Sequence, residues 1–234
     1  MITIPSLEDL LNKGVHFGHQ TSKRYPKAST YIYTQRNGVH IIDLEKTVEG
    51  LKEALSFVEK KVKAGGVILF IGSKKQARQI VKQAALSCGM PYIVGRWLGG
   101  TFTNFENIVK LTKRLEKLIK DEEQGAWEVY TKKEQVTFRK EKEKLLETVG
   151  GISQMKKLPQ AIFVVDIKKE KTAVTEANKM GIPIVAMTDT NVNPELVDYP
   201  IPANDDAIKS IEVITGAVAE TAKEATQATI QKSA

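Results

Sequence analysis

Three unbroken apolar runs punctuate the chain: Val67-Ile68-Leu69-Phe70-Ile71, Ala161-Ile162-Phe163-Val164-Val165, and Ile184-Val185-Ala186-Met187 behind Gly181-Ile182-Pro183. Continuous rather than alternating apolar residues predict strands buried on both faces, as in a parallel sheet covered by helices. Pro91-Tyr92-Ile93-Val94-Gly95 adds a shorter strand. Tyr31-Ile32-Tyr33 and Val39-His40-Ile41-Ile42 flank Arg36-Asn37-Gly38, the pattern of a β-hairpin. Between strands the apolar spacing lengthens to three and four. Val48, Leu51, Leu55, Val58 and Val62 mark a helix over 46–64, Ala77, Ile80, Val81, Ala84 and Ala85 a second, and a third covers about 170–180. Ser6 with Asp9, Ser73 with Gln76 and Thr103 with Glu106 have capping-box spacing, which predicts helix starts at each. Two β-α units before residue 105 and at least two after 150 make one doubly wound α/β sheet.

From 106 to 150 the pattern changes. Ile108, Leu111, Leu115 and Leu118 repeat at helical spacing until Gln124-Gly125-Ala126-Trp127 interrupts them. Phe138, Leu145, Leu146 and Val149 then lie on a second highly charged helix ending at Gly150-Gly151. Two such helices predict an antiparallel coiled-coil hairpin projecting as a docking arm for protein or RNA. The expected division is a discontinuous α/β domain over 1–105 and 151–223, an inserted hairpin over 106–150, and a flexible tail over 224–234; the Ala/Thr/Lys-rich stretch after Gly216 reads as a frayed helix or disorder.

Charge sharpens this picture. The net charge of +7 is segregated: residues 10–42 hold five Lys/Arg and no acid, and residues 60–105 hold eight and no acid. Between them, residues 43–59 carry five acids against two lysines, and the second half of the chain is close to balanced. Acid-free basic stretches point to a polyanion surface, and no basic amphipathic helix with an aromatic face points to a membrane. No run approaches the ~18 apolar residues of a membrane span, the N-terminus lacks the layout of a signal peptide, and Cys88 is alone, so a cytoplasmic protein is expected.

The candidate contacts lie within the basic stretches. His16, Phe17, His19, Lys23, Arg24, Tyr25 and Lys27 mix cations with stackable rings in what reads as an irregular loop, suited to irregular or single-stranded RNA. His16 and His19 have no acid or cysteine nearby in sequence, so a neutral histidine bonded to backbone or RNA is favoured over a metal ligand. Arg36 sits near the hairpin tip. Lys74, Lys75, Arg78 and Lys82 form a stripe on the helix after Gly72-Ser73, a junction like a phosphate-binding corner but without the spacing of a P-loop. Arg96-Trp97-Leu98-Gly99-Gly100-Thr101-Phe102-Thr103-Asn104-Phe105 links the first half to the arm. Either its aromatics fill the core, or Arg96, Trp97 and Asn104 face a ligand. Asp166 and Asp189 would end strands at the sheet edge where such folds bind ligands, and Asp205-Asp206 would open the last helix.

Several stretches then match one family together. Gly14-Val15-His16-Phe17-Gly18-His19, Arg36-Asn37-Gly38-Val39-His40-Ile41-Ile42-Asp43-Leu44, Gly72-Ser73-Lys74-Lys75-Gln76-Ala77, Arg96-Trp97-Leu98-Gly99-Gly100-Thr101, Gly181-Ile182-Pro183, Asp189-Thr190-Asn191 and the run from Asp198 through Pro202 to Ile208 resemble the bacterial small-subunit ribosomal protein S2 family, in its order. Arg24 stands where that family usually carries tryptophan. The resemblance implies a flavodoxin-like domain with a coiled-coil insertion and a non-catalytic role; no cofactor or metal is expected. It implies binding to small-subunit ribosomal RNA between head and body near the messenger exit, contacts with neighbouring small-subunit proteins, and a part in seating ribosomal protein S1.

Overall fold

The structure, a computed structural model, describes residues 4–233. Ser6 opens the first helix as its spacing predicts. Its hydroxyl accepts the Asp9 N–H, the Asp9 carboxylate accepts in return, and α1 covers Leu7–Asn12. The next stretch departs from expectation. Phe17–Gln20 is no irregular loop but a strand, β1. It joins β2 (Ile32–Arg36) and β3 (Val39–Ile42) in an antiparallel sheet of order β1-β3-β2. The register slips in both pairings, so no clean alternation marks β1 in the sequence. The hairpin turn is built as expected: Asn37 and Gly38 take φ of 51° and 75°, the positive pair that matches strand twist.

The chain continues through α2 (Leu44–Lys63), β4 (Ile68–Ile71), α3 (Arg78–Ser87), β5 (Tyr92–Ile93), α4 (Phe105–Glu123), α5 (Lys132–Val149), β6 (Ala161–Val165), α6 (Lys171–Met180), β7 (Ile184–Thr188), β8 (Tyr199–Pro202) and α7 (Ile208–Ser233). The last five strands form a second, wholly parallel sheet of order β5-β4-β6-β7-β8. Counted from its own first strand this is 2-1-3-4-5, the flavodoxin-like order.

Strand period explains how the apolar runs serve both faces. Ile68, Phe70, Phe163, Val165, Val185, Met187 and Ile201 point to one side, where α2, α3 and α7 cover them. Leu69, Ile71, Ile162, Val164, Ile184 and Ala186 point to the other, packing with α6, Trp97, Phe102 and residues of α4 and α5. Phe70 and Phe163 are opposite one another in register, with ring centroids 5.5 Å apart. Burying each such side chain contributes about 1.5–3 kcal/mol.

Three further details differ from expectation. Ser73 caps nothing: α3 begins only at Arg78, after a turn in which the Ala77 and Arg78 N–H groups reach the Lys74 carbonyl. Thr103 is not a cap either, since α4 starts at Phe105 behind Asn104. Tyr199-Pro200-Ile201-Pro202 is a strand despite two prolines, tolerated because β8 is at the sheet edge. That edge is covered by α2: Thr47 Oγ1 donates to the Pro202 carbonyl at 2.6 Å, and Gly50 lies so close to Pro200 that a Cβ would stand 2.5 Å from its oxygen. Of the two readings of the stretch after Gly216 the structure takes the helical one: it is the second half of α7, burying Val218, Ala222 and Ala225.

α4 and α5 are joined by a short 3-10 turn around Trp127, and Arg114 reaches across to Glu141 with two parallel hydrogen bonds of 2.9 and 2.8 Å.

Candidate nucleic-acid interface

The carboxyl ends of the parallel strands are where folds of this order hold ligands, at the switch between β4 and β6. Here that crevice is filled from within. The Ser73 N–H, which a bound phosphate would need, donates to buried Glu170 at 2.8 Å. Lys74 turns away from the expected stripe and lies 2.6–3.3 Å from carboxylate oxygens of Asp206, Asp205 and Asp166. Burial opposes its charge, but those carboxylates outweigh burial and raise its pKa. Asp205, only 1% exposed, is pushed up to about 7 by burial and by Asp166 and Asp189. The Gly72-Ser73-Lys74-Lys75 corner is therefore an internal ion cluster with excess negative charge, not a phosphate site.

β1 lies across the same edge. The His19 N–H donates to Asp189 Oδ1 and Thr190 Oγ1, the Tyr25 N–H to the Thr190 carbonyl, and Asn204 binds Gly14 and Val15. Gly18 permits the approach, since a Cβ there would come within 2.7 Å of Thr190. The His19 ring bridges Asp189 (3.0 Å) and Asp206 (3.4 Å), and its hydrogen bond to Asp189 raises its pKa against the lowering effect of burial. His19, Asp205 and Asp206 are the group among the described residues whose ligand atoms, all within 4.8 Å of one another, could hold a metal ion. Sequence distance hid this: His19 has no acid near it until the fold brings residues 189, 205 and 206 to it. His16 is half-buried against Phe17, with ring centroids 4.0 Å apart, and burial lowers its pKa. Phe17 is 50% exposed.

The Arg96–Asn104 segment resolves the choice left open by its sequence. Trp97 is 9% exposed, edge-on to buried Phe102 with centroids 4.9 Å apart, and its indole N–H donates to Glu176. Glu176, on α6, also accepts the N–H groups of Gly100 (2.8 Å), Phe102 (2.9 Å) and Thr103 (3.4 Å). Burial works to raise the Glu176 pKa, yet these donors bring it below the ordinary value with no cation present. Trp97, a candidate RNA contact, is a core residue: it is buried and its one donor is spent on Glu176. Glu176 carried no sequence signal, because one acid on an amphipathic helix looks like any other.

The other candidates lie on the surface. Lys75, Arg78, Lys82, Arg96, Asn104, Lys23, Arg24 and Arg36 are exposed. Lys27 is exposed as well but paired with Glu195. Arg78 is anchored through Nε to the Ser73 carbonyl at 2.8 Å, leaving its remaining N–H groups outward, and Lys82 follows one turn later beside the Tyr92 ring. Lys74 and Trp97 thus separate from a set of exposed cations that the described residues leave without ion pairs, Lys27 excepted.

No helix of the described residues is long and apolar enough to cross a membrane. A sequence model of the family described as ribosomal protein S2 matches residues 10–225, nearly the whole chain, including the β1 strap, the Glu176-bound loop and helices α4 and α5. The chain therefore belongs to the ribosomal protein S2 family, whose members are small-subunit ribosomal proteins and not enzymes.

Proposed function

We propose that this protein is a structural constituent of the small subunit that binds small-subunit ribosomal RNA between head and body through its exposed cations. The observation that carries the reading is the sorting of neighbouring lysines: Lys74 is neutralised internally, while Lys75, Arg78, Lys82 and Arg96 remain exposed within an acid-free stretch. Unpaired surface cations of this kind supply phosphate contacts. Arg24, Lys23 and Arg36 extend the same chemistry to the antiparallel sheet, where Phe17 and the 76%-exposed Tyr33 offer rings for unstacked bases. Residues 106–150 serve as an inserted coiled-coil arm. Seating of ribosomal protein S1 is supported by an apolar groove of about 550 Å³ between α1 and the hairpin, lined by Leu7, Leu11, Tyr33 and Ile41, a surface suited to a protein contact. The test is sedimentation of tagged protein from lysate. Co-migration with small subunits, released as salt rises, is expected; protein found only at the top of the gradient at low salt overturns the reading.

A further inference from the structure

Resting on that RNA reading, we infer that a cleft between α3 and the end of α5 takes one unstacked guanosine of the bound RNA. The cleft has a volume of about 210 Å³ and is lined by Arg78 and Lys82 from α3, Tyr92 and Gly95 from the edge strand β5 and its exit, Glu147 from the end of α5 and Gly151 from the turn after it. It is predominantly polar, and at ~30 Å³ per water it holds roughly seven waters, room for a base but not for a duplex.

Its walls are fixed. A Cβ at Gly95 would stand 2.7 Å from the Glu147 carbonyl oxygen, and one at Gly151 would collide with the Tyr92 carbonyl and ring. Bare backbone at both points lets the end of α5 pack directly on β5, which holds Glu147 over the cleft. β5 pairs only with β4, giving its Pro91 and Ile93 carbonyls to the Phe70 and Gly72 N–H groups.

Three chemistries converge there. The outward N–H groups of Arg78, held by the Ser73 carbonyl, and the Lys82 ammonium suit a phosphate. The half-buried Tyr92 ring suits a stacked base. Glu147 is the feature a phosphate surface does not explain: an exposed carboxylate, without an ion pair among the described residues, opposite two cations. A carboxylate presents acceptors only, and guanine alone places two donors, N1–H and N2–H, side by side on its pairing edge. Adenine, cytosine and uracil set an acceptor next to a donor.

The test probes complexes of the full chain with small-subunit ribosomal RNA using kethoxal, which modifies guanine at N1 and N2. One guanine shielded by the wild-type protein is expected to become at least fivefold more reactive with Glu147→Gln, while filter-binding affinity falls less than about tenfold. Arg78→Ala with Lys82→Ala is expected to weaken binding and expose the same guanine. Glu147 is on the surface, so an unchanged melting temperature certifies the fold of its variant. If every shielded guanine stays shielded with Glu147→Gln, the guanosine site is overturned and RNA binding stands. If the wild-type chain fails to bind RNA in the filter assay at low salt, the RNA reading fails, and this inference with it.

Discussion

Glu176 accepts four N–H groups with no cation to share its burial, so the loop it holds depends on one carboxylate staying ionised. Glu176→Gln keeps the shape but turns an NH₂ toward donors, and leaving them unsatisfied costs about 1–3 kcal/mol. Urea unfolding is expected to show that loss, and an unchanged midpoint would remove Glu176 from its organising role. His40 presents the opposite case. It is 5% exposed and neither ring nitrogen has a partner among the described residues, so burial, reinforced by Arg24, lowers its pKa although Asp189 pulls the other way. A histidine with a depressed folded pKa resists protonation only when folded. Its contribution is intact above the unfolded value near 6.5 and is lost as pH falls from there toward the folded value. His40→Leu is therefore expected to flatten the decline in melting temperature between pH 7.5 and 5.5 while costing little at pH 7.5. A variant whose decline parallels the wild type would assign the acid sensitivity elsewhere.

At the scale of elements, the junctions between layers are set by close backbone approach. Gly151→Ala is expected to cost about 1–3 kcal/mol, because its Cβ meets the Tyr92 ring at 2.7 Å and neither β5 nor α5 can yield without losing buried contacts. Gly99→Ala, with open space around the added carbon, is the control and is expected to melt close to wild type. Comparable losses in both would mean that conformational freedom, not contact, sets the cost. The same physics explains what could be read from the sequence. β4, β6 and β7 announced themselves because burial on both faces leaves a continuous apolar run. β8 did not, since Pro200 and Pro202 argue against a strand unless it is known to be at an edge. β1 has four residues and a slipped register, and it is held by Thr190 from across the chain. Ser73 has the local spacing of a cap, but Glu170 takes its N–H, and the helix starts five residues later. Local rules succeeded where the partner was local.

At the scale of the molecule, the question is which positive charges are available to a polyanion. Lys74 and Lys75 are adjacent and chemically identical, and nothing near them in sequence distinguishes their roles. The fold does, by sending Lys74 to carboxylates 92, 131 and 132 residues downstream. Removing Lys74 strands buried Asp205 beside Asp166 and Asp206, a loss on the order of 3–5 kcal/mol for a broken buried pair, so Lys74→Glu is expected to fold poorly. Reversing Lys75, Arg78 and Lys82 together touches no buried partner beyond the Arg78 bond to Ser73, and the melting temperature is expected to hold within a few degrees. RNA affinity is expected to fall, and each lost phosphate contact lowers the slope of log affinity against log salt by about 0.7–0.9. Measured between 50 and 200 mM salt, a slope reduced by about two units places the stripe on the RNA. An unchanged slope with reduced affinity would instead mean that reversal repels RNA held elsewhere, and the interface would then move to Arg24, Arg36 and the exposed rings of the antiparallel sheet.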